Sequence, residues 1–261
     1  NGIVGSLVVT EQDTIPGYTI SDANRTQTVE VKPDDTQTLY FYNEPLCSLT
    51  IKKLDSVTGK PVPGTEFTVK DGNGNIIGKY TTGQDGTVTV AGLVPGSAVV
   101  VTETKVPNGY VLNPIPQTII VKNGTGNNLT SGGSGGNGWS SSNDLTFEND
   151  PKTTLTIEKY LETETGNRPL KGVTFLVTDS SGAVVGPNNG EYITGEDGRI
   201  VIPNLEPGTT ITAREIKAPE GVLLDSTPKS IQIKVGEGQT LRFVNQRTGT
   251  LVVRKLDKIS K

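Results

Sequence analysis

The chain has no histidine and no methionine, a single cysteine, Cys47, and a single tryptophan, Trp139. Without histidine there is no Ser-His-Asp triad and no histidine-bearing metal cluster, and one thiol cannot build a disulfide framework. No cofactor and no metal site is expected. Aromatic residues make up only 5% of the chain and the hydrophobic share is 32%, so any core must be small for the surface it holds together. No apolar run reaches transmembrane length, and neither a signal peptide nor a sorting tail is present, so the stretch reads as the interior of a longer chain with no membrane insertion. The formal charge of -4, from 24 basic and 28 acidic residues, is scattered. That argues against nucleic acid as a partner.

What is abundant is turn chemistry: 32 glycines and 16 prolines in 261 residues. Between the turns run short segments with period-two alternation, Leu49-Thr50-Ile51-Lys52-Lys53-Leu54-Asp55 and Leu155-Thr156-Ile157-Glu158-Lys159-Tyr160-Leu161, with a third copy at Leu251-Val252-Val253-Arg254-Lys255-Leu256-Asp257. Alternation points their aliphatic residues into a core, and Lys53, Lys159 and Lys255 keep step with that inward face. Each complete copy is followed by a strand carrying a glutamate, Val99 to Glu103 and Ile211 to Glu215, and later by a closing strand ending in asparagine, Leu145 to Asn149 and Leu241 to Asn245. The first 45 residues repeat the back half of this order, with Glu11, the turn Ile15-Pro16-Gly17-Tyr18 and a strand Leu39 to Asn43. Internal repetition at this level outranks any single motif.

The repeat period sets four segments. Residues 1–45 are the C-terminal portion of a preceding repeat, 46–150 and 151–246 are complete domains, and 247–261 is the first strand of a following repeat. Hairpin turns are expected at Asp71-Gly72-Asn73-Gly74 and Asp179-Ser180-Ser181-Gly182, and again at Gln84-Asp85-Gly86 and Glu196-Asp197-Gly198. Asp71 to Asn75 opens like a calcium loop, but Ile76 stands where that loop needs glycine and Thr82 where it needs a bidentate glutamate. Short strands at this spacing, with no run periodic enough for a helix, predict an all-β chain of tandem antiparallel β-sandwiches. The glycine-rich stretch around Ser131 to Trp139 predicts a long surface loop inside the first complete domain.

An unpaired lysine ammonium among aliphatic residues pays a large desolvation cost, which favours the neutral amine, a nucleophile. Burial favours the protonated acid for a glutamate in the same surroundings. Such an acid can donate to the asparagine carbonyl and relay the proton that lets ammonia leave. Attack of the lysine Nζ on the asparagine Cγ then gives an amide between side chains, with folding supplying proximity.

On these residues the repeats resemble the Cna-B or SpaA-type domains of Gram-positive surface adhesins and pilins. That resemblance implies Ig-like sandwiches in which autocatalytic isopeptide bonds join Lys53 to Asn149 and Lys159 to Asn245, with Glu103 and Glu215 as the catalytic acids. The lysine two residues before Asp55 is the one that matches, which selects Lys53 over Lys52. The second repeat departs from the pattern at Leu161, where the aspartate would stand, and at Val222, where Tyr110 stands in the first. Neither is a reacting position. Glu11 and Asn43 have no lysine strand before them and Lys255 has no partners after it, so these are orphan positions. The resemblance implies a cell-wall-anchored extracellular stalk with neighbouring domains of the same protein as partners, and no enzyme, since the reaction consumes its own side chains. The alternative is a module that binds a host matrix protein or glycan through the 122–142 loop and Trp139.

Overall fold

A computed structural model describes residues 4–123, 143–249 and 251–255. The chain divides into two compact units, residues 1–108 with 112–149, and residues 109–111 with 150–261. Trp139, the glycine-rich stretch, and Leu256 and Asp257 lie outside the described residues, and with them nearly all of the 122–142 loop of the binding-module alternative.

The first unit opens with β1 (Gly5–Thr10), β2 (Tyr18–Thr19), a single helical turn α1 (Asp22–Arg25), β3 (Thr26–Val31) and β4 (Glu44–Pro45). β1 pairs antiparallel with β3, and β2 with β4. Two expectations fail in this part. A short helix occurs where none was expected, and residues 39–43 do not join a strand ladder. Tyr40 and Tyr42 are largely exposed, so this alternating stretch has no sheet neighbour to hydrogen-bond it.

A complete sandwich follows, with β5 (Cys47–Asp55), β6 (Glu66–Asp71), β7 (Ile76–Thr81), β8 (Thr87–Leu93), β9 (Ala98–Lys105), β10 (Gln117–Ile120) and β11 (Asp144–Asn149). One sheet has the order β10-β9-β6-β7 and the other β11-β5-β8. Their inner faces meet in a core that takes Leu49, Ile51, Val90 and Phe147 from one sheet and Phe67, Val69, Val99 and Val101 from the other. Phe67 and Phe147 stack across it with ring centroids 4.9 Å apart.

The second unit repeats the plan with β12 (Thr153–Thr163), β13 (Gly166–Pro169), β14 (Thr174–Asp179), a 3-10 turn at Asn188–Gly190, β15 (Glu191–Ile193), β16 (Arg199–Leu205), β17 (Thr210–Lys217), β18 (Lys229–Gln232) and β19 (Gln239–Asn245). One sheet runs β15-β14-β17-β18; in the other β12 sits beside β13, β16 and β19. Phe175 and Phe243 pack edge to face with centroids 4.9 Å apart.

The architecture is predominantly antiparallel, as the spacing of the short strands predicted, with one exception in each sandwich. The first and last strands, β5 with β11 and β12 with β19, run parallel. Sequence alternation fixes which face a side chain takes and is silent on strand direction. The turns at Asp71 and Asp179 are true reversals, each aspartate accepting backbone N–H groups from the turn it opens. Those at Gln84-Asp85-Gly86 and Glu196-Asp197-Gly198 are not hairpins. Each carries the chain from one sheet to the other, since β7 and β8 belong to different sheets, as do β15 and β16.

These crossovers abut the lysines. Lys53 donates its backbone N–H to Gly86 O at 2.8 Å, and Lys159 to Gly198 O at 2.8 Å. Gly86 and Gly198 both have φ of +70°, and a Cβ built on them would stand 2.7 Å from Lys53 O and 2.5 Å from Lys159 O respectively. Only glycine meets both demands at this corner.

Candidate functional site

The parallel pairing places the candidate lysine and asparagine. Lys53 lies opposite Phe147, and Asn149 opposite Asp55, so lysine and asparagine share the inner face two residues apart in register. Lys159 lies opposite Phe243 and Asn245 opposite Leu161 in the same way. The glutamates arrive from the facing sheet, on β9 and β17, where Glu103 pairs with Phe67 and Glu215 with Phe175. All six side chains are inside: Lys53 is 0% exposed, Lys159, Glu103 and Glu215 1%, Asn149 and Asn245 2%.

In the second sandwich the three groups close a triangle. Lys159 Nζ donates to Asn245 Oδ1 at 2.6 Å, and Asn245 Nδ2 donates to Glu215 Oε2 at 2.7 Å. Lys159 Nζ also stands 2.6 Å from Glu215 Oε1 as an ion pair. In the first, Asn149 Nδ2 donates to Glu103 Oε1 at 2.8 Å, while Lys53 Nζ lies 3.8 Å from Glu103 Oε2 and donates to Leu54 O at 3.3 Å. The backbone N–H of Asn113 adds a second bond to Glu103 Oε1 at 3.0 Å. The longer gap between Lys53 and Glu103, and an Asn149 Oδ1 that is buried without a hydrogen-bond partner, leave the first site less tightly closed.

One detail differs from expectation. Each glutamate meets the nitrogen of the asparagine amide and not its carbonyl oxygen. The amide nitrogen is the only donor of that group and a carboxyl oxygen accepts, so the acid sits against the atom that would depart.

Burial among aliphatic and aromatic side chains pushes Lys53 down to about 8, against the opposing pull of Glu103, Glu148 and Asp55. Lys159 is also lowered, again through burial, with Glu215 and Asp225 opposing and Lys229 assisting. Both amines are therefore drawn toward the neutral, nucleophilic form. Asp55, which the sequence marked as part of the lysine strand, accepts the backbone N–H groups of Val57 and Thr58 and so shapes the turn that follows β5.

The orphan positions are partly assembled. Asn43 Nδ2 donates to Glu11 Oε1 at 2.8 Å, the same glutamate-to-amide contact as in the two complete sites. Glu11 Oε2 and Asn43 Oδ1 are buried without partners. Lys255 is exposed, in a stretch where Leu251 and Val253 are more than 80% exposed.

Sequence reasoning missed two surroundings of the second site. Glu158, assigned outward by alternation, is only 8% exposed. It is held by Arg199 and Arg242, each at 2.9 Å, and by Tyr160 at 3.2 Å, on the opposite side of β12 from Lys159. Lys229 Nζ lies 5.0 Å from the centroid of the Phe243 ring, which Lys159 Nζ also approaches at 5.9 Å. Comparing Lys229 with the aligned Gln117 in the first repeat was the available signal. Among the described residues, no group of three or more histidine, cysteine or acidic side chains is arranged to hold a metal ion.

Solved structures similar to this chain include the Bacillus anthracis TIE protein, 23% identical over 94% of this chain and 42% of that one, with a TM-score of 0.41. They also include the shaft pilin SpaA of Lactobacillus rhamnosus GG, 15% identical over 79% of this chain and 100% of that one, TM-score 0.42. A minor pilin of Streptococcus agalactiae is 16% identical over 80% of this chain and 99% of that one, TM-score 0.37. The chain thus spans less than half the length of the Bacillus protein. No curated protein sequence gives a match. The SpaA domain family, described as a prealbumin-like fold domain, matches residues 47–132 and 153–247, one match on each sandwich. This chain belongs to that family.

Proposed function

We propose that the chain is a structural stalk segment of a bacterial surface adhesin or pilin, displayed outside the cell on a Gram-positive wall and stabilised by two intramolecular isopeptide bonds. The observation that carries this reading is the meeting of one lysine, one glutamate and one asparagine in each of two separate cores, with the amines drawn toward neutrality. Membership of the SpaA family supports the role. The 46–150 and 151–246 segments each serve as one self-locking unit, with neighbouring domains of the same surface protein as their partners.

The chemistry balances without a cofactor. Each lysine reacts in its neutral amine form, with the paired glutamate alongside as the proton relay. Nζ attacks Cγ of the asparagine, forming the C–N bond of a tetrahedral intermediate. The glutamate takes the proton that the attacking Nζ sheds and delivers one to Nδ2, which it already contacts, and the Cγ–Nδ2 bond breaks to release ammonia. The product amide is neutral, so the reaction also removes a buried charge that was costly to keep. Each site works once and turns nothing over, so the chain is no enzyme.

Intact mass tests the proposal. The 261-residue chain should weigh less than its sequence by two ammonia molecules, and by one after either Lys53→Ala or Lys159→Ala. A full calculated mass would refute it.

A further inference from the structure

The charges around the two lysines differ: Glu148 and Asp55 act on Lys53, where Val244 and Leu161 stand in the second site, and a further difference lies in the loop and strand that follow the glutamate strand. Around Lys53 the loop and strand leading back to the sheet present neutral groups, Asn113 and Gln117. At the same places around Lys159 stand Asp225 and Lys229. The equivalence is geometric as well as sequential. Gln117 opens β10 opposite Val101, two residues before Glu103; Lys229 opens β18 opposite Ala213, two residues before Glu215. Gln117 Nε2 donates to Thr146 O at 3.0 Å, and Lys229 Nζ donates to Arg242 O at 2.7 Å, each accepting residue lying just before the core phenylalanine. The same anchoring bond is therefore made once by an amide and once by an ammonium.

We propose that Lys229 is a positioning residue for the second crosslink, its fixed positive charge against Phe243 keeping the neighbouring Lys159 in the amine form that attacks Asn245. The inference rests on the bond-forming reading above. The Phe243 ring is shared, with Lys229 Nζ at 5.0 Å and Lys159 Nζ at 5.9 Å from its centroid. A second ammonium beside a ring and core of low polarity disfavours protonation of the first. The charged groups facing Lys159 are Glu215 from β17, Asp225 from the loop before β18, and Lys229 from β18 itself. Glu215 takes part in the reaction. Asp225 favours the ammonium and Lys229 opposes it, so the pair brackets the nucleophile, and removing one member leaves the other unopposed. Asp225 is held in place by the Thr227 backbone N–H at 3.0 Å.

Gln117 supplies the control for this claim, because it shows that glutamine makes the anchoring bond without the charge. Lys229→Gln should keep the fold and slow closure of Lys159 to Asn245 about threefold near neutral pH, the size expected for one partly screened charge. Its rate profile between about pH 6 and about pH 9 should move to higher pH, since a lysine with a raised pKa reaches the amine form later. Asp225→Asn should shift both in the opposite direction, and Lys229→Arg, which retains the charge, should restore the parent rate.

The measurement is a pulse of cell-free synthesis of the full chain, quenched in acid and denaturant at intervals. Branched and linear peptides from the two sites are then counted in the same digest. Closure of Lys53 to Asn149 is the clock within each molecule and should be unchanged by all three substitutions. If Lys229→Gln leaves the ratio of the two rates and the pH profile at parent values, or if Lys229→Arg slows closure as much as Lys229→Gln, the proposal is overturned. If the parent forms no branched peptide at either site, the isopeptide reading itself falls, an outcome distinct from an unchanged ratio.

Discussion

Lys159 Nζ stands 2.6 Å from the carbonyl oxygen of Asn245, a residue 86 positions further along the chain, while the nitrogen of the same amide points to Glu215. The asparagine is thus held at both ends, oxygen to the nucleophile and leaving nitrogen to the acid. That arrangement orients the amide before any bond forms, which is where much of an intramolecular rate advantage originates.

Glu103→Ala should leave the first sandwich folded but uncrosslinked. A bond from Lys53 to Asn149 would close almost the whole domain, and by analogy with a disulfide closing a loop of about 100 residues its loss should cost ~4 to 5 kcal/mol. Calorimetry should show the first unit melting well below the second. A melting profile identical to the parent, with the first ammonia retained, would contradict a stabilising role.

The rate of the first crosslink should depend on pH in one direction. Lys53 is held at about 8, so below that value the reactive amine becomes scarcer and closure should slow about tenfold for each unit of pH. Above it the rate should level off. Pulse-labelled chain sampled across this range by peptide mapping gives the profile, and a rate that falls steadily from acid to alkaline pH would exclude an amine nucleophile.

Gly198→Ala should damage the second site without touching a reacting group. The new methyl would meet Lys159 O at 2.5 Å and Leu170 N at 2.9 Å, at a backbone φ of +70°. Strain and clash together should cost on the order of 3 kcal/mol, and displacement of the Lys159 backbone should slow its crosslink. Alanine at Gly182, where a Cβ meets nothing within 4 Å despite a φ of +85°, should be milder, at about 1 kcal/mol. Equal stability of the two variants in denaturant titrations would refute the close-approach argument.

The orphan positions supply a negative control. Asn43 bonds to Glu11, among the described residues it has no paired lysine strand, and Lys255 is exposed. Peptide mapping of the monomeric 261-residue chain should return Asn43 as an ordinary amide and Lys255 as a free amine, while both core sites are crosslinked. A branched peptide containing Asn43 would show that glutamate and asparagine recruit an amine from elsewhere.

The site residues were legible because period-two alternation, repeated in two complete copies, put a lysine where only aliphatic residues belong. Repetition then picked out Glu103 and Asn149 from the many other acids and amides, because each recurs in the same order as Glu215 and Asn245. The sense of the strand pairing was not legible, since a parallel and an antiparallel neighbour bury the same alternate residues. Nor was the crossover at Gly86, whose Asp-Gly pair looks like a hairpin until β7 and β8 are seen in different sheets. Glu158 shows the limit of alternation from the other side. It faces outward on β12, yet two arginines from the neighbouring strands β16 and β19 close over it.

The parallel pairing of first and last strands has a mechanical consequence. Because β5 and β11 run the same way, tension entering at Cys47 travels six residues to Lys53, and Asn149, opposite Asp55, is where the chain leaves the domain. With the bond closed, force crosses from one side chain to the other and residues 54–148 hang off the tensile path as slack. The second sandwich does the same between Lys159 and Asn245. On the order of 300 Å of polypeptide per domain would thereby be withheld from extension, and each sandwich would lengthen under load only by the compliance of its short through-going strands.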